Sequence, residues 1–403
     1  MKLYWIAASI MSLFNKKARQ FVQGRKGLLK SIENDTLPEK PMIWFHCASV
    51  GEFEQARPLI EQLKAQTDRY AVVLTFFSPS GYELRKNYSY ADRVYYLPMD
   101  GPRNASRLIE AIRPVKAVFV KYEFWYYYLN ELSRRSIDTY IVSAIFRPEQ
   151  AFFKSYGRFF RNMLKKYTRL FVQDQASADL LKGIGIDAVT VAGDTRFDRV
   201  LSITSAPKDI PVVEEFAKGK LCLVAGSSWA PDEEIIVKAA LKHRDRLKIV
   251  FAPHEIFPQN IERLESLLTG CGYRHVRFSK AEGLADKDVL IIDNIGMLSS
   301  IYRYADFAYI GGGFGVGIHN VLEPATYGIP VIYGPKHRKF REALQMAEKG
   351  AGFPIDSLDS LSKVMDRFCE EEDFRRDAGK RSSDYVRTNS GATGIIYKEL
   401  NIR

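Results

Sequence analysis

Glu52 falls just past an apolar run, in the stretch His46-Cys47-Ala48-Ser49-Val50-Gly51-Glu52. A carboxylate at the mouth of a sheet can take a proton from a hydroxyl as that hydroxyl attacks. It can equally serve only to complement the dipole of the next helix or to cap it. His46, Ser49 and Gly51 put polar and small groups on the same rim, and Ser49 and Gly51 are candidate acceptor contacts. Later apolar runs also end in polar groups: Glu123 before Phe124-Trp125, and Arg196 within Gly193-Asp194-Thr195-Arg196-Phe197-Asp198. Surface ion pairs would account for each singly. In one sheet they ring the edge where open α/β folds bind ligands.

A second concentration of chemistry lies at Tyr309–Pro335. After the apolar run Phe307–Ile310 come Gly311, Gly312, Gly313, Gly315 and Gly317, then His319-Asn320-Val321-Leu322-Glu323, then a second apolar run ending at Pro335. Strand, glycine turn, helix, strand is a βαβ unit, and the helix start at its loop favours phosphate. Glycine allows close backbone approach, so Gly313 and Gly317 are candidate ligand contacts. Asn320 and Glu323 stand one helical turn apart. The pattern departs from the dinucleotide fingerprint, because the glycines do not run directly into the helix and no acid sits at the ribose spacing. A turn of purely packing character is the plainer alternative. Ser227 and Ser228, after the run Leu221–Ala225, are placed to cap a helix or hold an anion. Pro253-His254 and Ile295-Gly296-Met297 close two further runs. The one Asp-x-Asp triplet, Asp286-Lys287-Asp288, precedes its strand and reads as a solvated turn, so no metal site is expected.

These groups need a scaffold. Strand-like runs at Met42–Ser49, Ala71–Phe77, Arg93–Leu97, Ala117–Tyr122, Thr139–Ala144, Leu170–Gln173 and Val189–Ala192 alternate with helical segments, including one from Phe53 to Ala65 in which Val50-Gly51-Glu52 is the preceding turn. Such alternation predicts a doubly wound parallel sheet. Leu201–Pro211, with two prolines and little periodicity, reads as a linker. The αβ pattern then restarts, and Leu358–Cys369 and Glu372–Arg387 read as closing helices. The expected division is 1–40, a first helical and membrane-associating segment; 41–205, an acceptor-binding Rossmann-like domain; and 206–403, a donor-binding one, the two facing across a cleft. A chain of 403 residues is too long for one core.

Composition narrows the partners. Lys plus Arg exceed Asp plus Glu, 59 against 48, giving a net charge of +11, which favours an anionic partner. The basic residues are dispersed and no nucleic-acid motif appears, which disfavours nucleic acid. The four cysteines form no CxxC pair and no zinc spacing. The N-terminal apolar run, Leu3–Phe14, is about twelve residues, short of the roughly twenty that span a bilayer. It lacks a cleavage site and is followed by Lys16, Lys17 and Arg19. That fits an interfacial anchor on an anionic leaflet, or a first helix packed on the domain.

Six motifs in order carry a resemblance that runs from about Trp44 to Pro335. His46–Glu52 resembles the HxASxGE motif of Kdo (3-deoxy-D-manno-octulosonic acid) transferases, glycosyltransferases of GT-B fold. Glu123-Phe124-Trp125 resembles that family's acidic-Leu-Trp segment, and Gly193–Asp198 its GNxKFD segment. Gly226-Ser227-Ser228, Asp293-Asn294-Ile295-Gly296 and Gly317–Pro324 are similar to its donor-domain motifs. The resemblance implies an enzyme on the cytoplasmic face of the bacterial inner membrane that moves Kdo from CMP-Kdo to a tetraacylated, phosphorylated disaccharide, the lipid A precursor. It implies Glu52 as the base, Glu123 and Arg196 as transition-state groups, and Pro253, His254, Ile295–Met297 and Asn320–Glu323 as contacts to CMP, with no cofactor and no metal. Three positions depart from the family. His254-Glu255 stands where Arg-His is usual, Met297 where a glutamate is usual, and Arg196 where a lysine is usual. A GT-B enzyme or a sugar epimerase using a nucleoside diphosphate sugar is the alternative.

Overall fold

Near-continuous apolar strands alternating with half-apolar helices can bury both faces of a sheet only if the strands run parallel. The computed structural model has two such sheets, each of seven strands and all parallel. It describes residues 2–205 and 207–402. Met1, Ala206 in the expected linker and Arg403 lie outside the described residues. The chain divides into two units, one of residues through Arg199 plus those from Ser390 onward, the other Val200–Asn389.

The first unit holds β1 (Met42–Cys47), β2 (Ala71–Phe76), β3 (Arg93–Tyr96), β4 (Pro114–Val120), β5 (Asp138–Ala144), β6 (Arg169–Val172) and β7 (Val189–Val191), in the order β3-β2-β1-β4-β5-β6-β7. Successive side chains of β1 alternate between two cores: Met42 and Trp44 pack in one, Ile43, Phe45 and Cys47 in the other. Strand order reverses between β1 and β4, so a crevice opens beyond their carboxyl ends. The helix after β1 begins earlier than expected, spanning Val50–Gln66, because Ser49 and Glu52 form a capping box. Val50-Gly51-Glu52 is therefore its first turn.

Three N-terminal helices precede β1: Lys2–Met11, Lys16–Gln23 and Leu28–Glu33. Tyr4 meets the Phe21 ring edge-on at 5.6 Å and lies 6.0 Å from that of Phe77. Arg25 ties this layer to the sheet, donating from Nε to Leu97 O (2.9 Å) and from Nη2 to Phe77 O (2.7 Å). Leu3, Ile6, Ile10, Leu13 and Phe14 stay exposed. The first helix thus packs by one edge and presents an apolar face on the other. No helix among the described residues is long and apolar enough to cross a membrane.

The second unit holds β8 (Leu221–Ser228), β9 (Leu247–Pro253), β10 (His275–Arg277), β11 (Val289–Ile291), β12 (Phe307–Ile310), β13 (Val331–Tyr333) and β14 (Gly352–Pro354), ordered β10-β11-β9-β8-β12-β13-β14. Its first strand, β8, again lies between two later strands, β9 on one side and β12 on the other, so the strand order reverses there. The edge strands β10 and β14 have no apolar run to announce them.

Three expectations are corrected. The expected linker is half helix: Thr195–Ser205 is continuous, and Pro211 opens Pro211–Ala217 at the position where a missing N–H costs nothing. The tail returns to the first unit. Asp198 accepts from the N–H groups of Gly391 (2.5 Å) and Thr393 (2.7 Å), and Ile396 and Leu400 of this tail enter the first core. Asp288 is buried rather than solvated, holding Arg244 at 2.8 Å and Arg274 at 2.9 Å.

Candidate active site

Glu52 sits beside the strand-order reversal of the first sheet. Its Oε2 accepts from Ser49 N (2.7 Å) and Ser49 Oγ (3.0 Å). Both bonds fall on one oxygen, which leaves Oε1 for a hydroxyl. Burial, then the charge of Glu123, pushes the Glu52 carboxyl above the ordinary range, against the Ser49 hydrogen bonds and the charge of Lys121. Ser49 and Gly51 stand on this rim through the cap and the first helical turn, and Gly51 is exposed.

Glu123 lies beyond β4, across the reversal from β1. It is 6% exposed. Its Oε2 accepts from Trp125 Nε1 (2.6 Å) and is paired with His46 Nε2 (2.9 Å). Its backbone carbonyl accepts from Tyr167 OH at 2.8 Å. Lys121 leads into this loop at φ 64°, a left-handed conformation uncommon for a side-chain-bearing residue and frequent at functional sites.

Arg196 Nε and Nη2 donate to Asp194 Oδ2 at 2.9 and 2.8 Å. Asp194 also accepts from Gln55 Nε2 at 2.8 Å. Burial acts to raise the Asp194 carboxyl, but the charge and hydrogen bonds of Arg196, with that of Gln55, hold it below the usual range. The nearer carboxylate two residues back in the chain takes the fork, so Arg196 is positioned by its own loop.

The rim of the second sheet is built mostly from backbone. The N–H of Gly311 reaches Gly226 O at 3.0 Å, an approach that a side chain would block, since its Cβ would lie 2.2 Å from Ser227 O. Gly313 is buried, and a Cβ there would meet Gly334 Cα at 2.5 Å. These glycines pack the turn against its neighbours, whereas Gly315 is exposed and Gly317, at φ 125°, shapes the exit. Asp232 holds the turn from beneath, accepting from Gly312 N (2.8 Å), Trp229 N (3.0 Å) and Tyr309 OH (2.9 Å). Burial raises the Asp232 carboxyl against those bonds.

The Ser228 hydroxyl is buried and donates to Glu233 at 2.8 Å, so it does not cap the helix Ala230–Ala240. That helix is capped by the Trp229 N–H on Asp232. Ser227 adopts φ 52°. His254 follows β9, its ring stacked between Trp229 (4.7 Å) and His319 (4.4 Å). The His319 Nε2 accepts from Trp229 Nε1 at 3.3 Å. Burial and the neighbouring His254 lower the His319 pKa to about 4, which keeps it neutral. Asn320 Nδ2 donates to Glu323 Oε1 at 3.0 Å, and its Oδ1 caps Leu322 N at 3.0 Å. Val321 and Leu322 are buried, so that segment offers a ligand its backbone and the polar pair. Ile295 is 86% exposed, Gly296 adopts φ 94° and Met297 precedes the short helix Leu298–Ile301.

The reading of Glu52 as a helix cap holds, with Ser49 as its partner. Sequence reasoning missed the His46–Glu123 pair and the Asp232–Gly312 bond. No local signal marks either, because their partners are 77 and 80 residues apart.

The family model for 3-deoxy-D-manno-octulosonic-acid transferase (kdotransferase) matches residues 20–199. A 3-deoxy-D-manno-octulosonic acid transferase of Aquifex aeolicus is 30% identical over 330 residues, 80% of this chain and 84% of that protein. One from Haemophilus influenzae is 26% identical, covering 95% of this chain and 91% of its own length. In fold, the chain is similar to UDP-GlcNAc 2-epimerase from Neisseria meningitidis, with TM-score 0.62, 15% identity, and 90% and 99% of the two chains covered. It is also similar to a glycosyltransferase from Rickettsia africae, with TM-score 0.59, 12% identity, and 91% and 100% covered.

Proposed function

Since this chain belongs to the 3-deoxy-D-manno-octulosonic acid transferase family, we propose that it transfers Kdo from CMP-Kdo to a tetraacylated, phosphorylated disaccharide of the lipid A precursor class. In this reading transfer inverts the anomeric centre and needs no metal ion. The observation that carries it is Glu52: one carboxylate oxygen tied down by Ser49, the other open, and a proton affinity raised by burial and by Glu123.

A sugar hydroxyl is a poor nucleophile at neutral pH. Glu52 Oε1 takes its proton as it attacks the anomeric carbon, and a carboxyl with raised pKa does so better than an ordinary one. Attack opposite the leaving group gives inversion. Departing CMP gains negative charge on one phosphate. We assign backbone N–H groups around the glycine turn to offset it. Lys336 braces that turn by donating to Gly315 O at 2.5 Å. Where the family's arginine is replaced, the Trp229–His254–His319 stack offers a flat surface in place of a guanidinium, and where its glutamate is replaced, Met297 leaves backbone contact. The exposed apolar face of the first helix, followed by Lys16, Lys17 and Arg19, supports seating on the anionic cytoplasmic face of the inner membrane.

The test is transfer from CMP-Kdo to the lipid acceptor by wild type and Glu52→Gln, each with and without EDTA, beside UDP-sugar controls. The variant is expected to lose about 10²- to 10⁴-fold in kcat. Undiminished turnover by Glu52→Gln would remove it as the base. Loss with EDTA would end the metal-free account, and turnover of a UDP-sugar in place of CMP-Kdo would end the donor assignment.

A further inference from the structure

His46 is fully buried, 0% exposed, on β1. A buried imidazole with both nitrogens engaged is informative because its bonds fix where its protons lie. Nδ1 is 2.8 Å from Thr75 Oγ1 and 3.2 Å from Thr75 O. Thr75 Oγ1 already accepts from Trp44 Nε1 at 2.8 Å, and of the two acceptors within its reach, His46 Nδ1 at 2.8 Å and Phe45 O at 3.4 Å, its own hydrogen goes to the nearer. Nδ1 then accepts, and the ring proton sits on Nε2, facing Glu123 Oε2 at 2.9 Å. Trp125 Nε1 donates to the same oxygen at 2.6 Å. Two donors thus converge on one oxygen of Glu123. The rings of Phe119 (5.8 Å) and Trp125 (6.0 Å) close on the imidazole edge-on and hold it in place.

Nothing in the transfer chemistry above uses His46. It touches no position where a substrate is expected, and its only route to the reaction runs through Glu123. We propose that His46 is a positioning residue for the two carboxylates, fixing Glu123 beside Trp125 as the negative neighbour against which Glu52 works. This rests on the reading of Glu52 as the base. Besides Glu123, the charged or titratable groups around Glu52 are Lys121 and Cys47, with Ser49 as its cap. Around Glu123 they are His46, Cys47 and Tyr167. Of these, His46 is the one that donates to the Glu123 carboxylate.

Without the Nε2 donor, Glu123 Oε2 keeps the Trp125 bond and loses the one from His46, so the carboxylate is freer to turn away from Glu52. Its charge then raises the Glu52 carboxyl less, Glu52 releases its proton at lower pH, and the acidic limb of the rate profile moves down.

The experiment compares kcat/KM against pH for wild type, His46→Gln, His46→Asn and Glu52→Gln, with melting temperatures alongside. The glutamine amide reaches the Nε2 position and keeps the bond to Glu123; the asparagine amide reaches only the Nδ1 position and keeps the bond to Thr75. In His46→Asn we expect kcat to fall about tenfold and the acidic limb to move down by roughly half a pH unit or more, with KM for CMP-Kdo changed less than about twofold. His46→Gln should restore the limb and most of the rate. If both variants keep the wild-type limb, or both lose melting temperature and rate in parallel with the limb unmoved, His46 is only a core residue and the proposal is overturned. Near-wild-type turnover by Glu52→Gln overturns it by a different route, through the base itself.

Discussion

At the first sheet's strand-order reversal, side chains hold side chains. Ser49 fixes Glu52, His46 and Trp125 fix Glu123, and Asp194 fixes Arg196. At the corresponding point of the second sheet, backbone is held instead. Asp232 grips two N–H groups, and three successive glycines press against Ser227, Gly317 and Gly334. Both rims arise from the same topological event, yet one collects charge and the other collects shape. Acid–base chemistry needs a group whose proton affinity is tuned by its neighbours. Gripping a nucleotide needs N–H groups and surfaces that do not move. The difference teaches that similar α/β frames divide labour through what fills the crevice rather than through how it is made.

If the second rim works by shape, a single methyl should damage it most. Gly313→Ala sets a Cβ 2.5 Å from Gly334 Cα, against the backbone of Gly334. Overpacking with no flexible partner to yield should cost about 3 kcal/mol or more. Thermal unfolding should show a clear loss of melting temperature, with donor binding lost as well. A variant that melts with the wild type would mean that the turn is looser than its geometry.

A charge-for-shape exchange sharpens the contrast at intermediate size. Asp232→Asn keeps an oxygen for the Gly312 and Trp229 N–H groups and turns its amide toward Tyr309 OH, which can accept. Because burial already disfavours the charged form, the substitution should change stability by less than about 1 kcal/mol and leave transfer nearly intact. Asp232→Ala strands three buried donors and should cost about 1–3 kcal/mol for each. The equivalent exchange at Glu52 is expected to cost about 10²- to 10⁴-fold in kcat. Equal damage from Asp232→Asn and Asp232→Ala, read by chemical denaturation, would say that the carboxylate charge matters here too.

The expected strands of the first sheet and the central ones of the second were legible because parallel strands covered on both faces announce themselves as apolar runs. Phe307–Ile310 matches residue for residue. The edge strands β10 and β14 were not: His275–Arg277, for one, is half-buried and carries no apolar run. The site residues were legible as positions at strand ends, but their partners were not. Only three-dimensional packing shows that Asp194 takes the Arg196 guanidinium while His46 takes Glu123. Ser228 shows the same limit: a serine before a helix reads as a cap, yet its hydroxyl turns inward to Glu233. The tail's return to the first unit depends on Asp198, a residue that sequence motifs alone made look like part of the site.

The smallest effect probes the neutrality of the second rim. His319 has its pKa depressed to about 4 by burial and by His254, below the ordinary histidine value of about 6.5. Between those values the unfolded chain binds a proton that the folded ring refuses. Stability therefore falls as pH drops through this window, and is fully recovered above it. A protonated His319 would also have to donate at Nε2, where Trp229 Nε1 already donates, so the three-ring stack loses its hydrogen bond as well as its neutrality. Melting temperature measured at pH 7 and pH 5 should drop more in wild type than in His319→Asn, which has nothing to titrate there. Equal drops in the two proteins would place the acid sensitivity elsewhere and would remove neutrality as the property that separates the two.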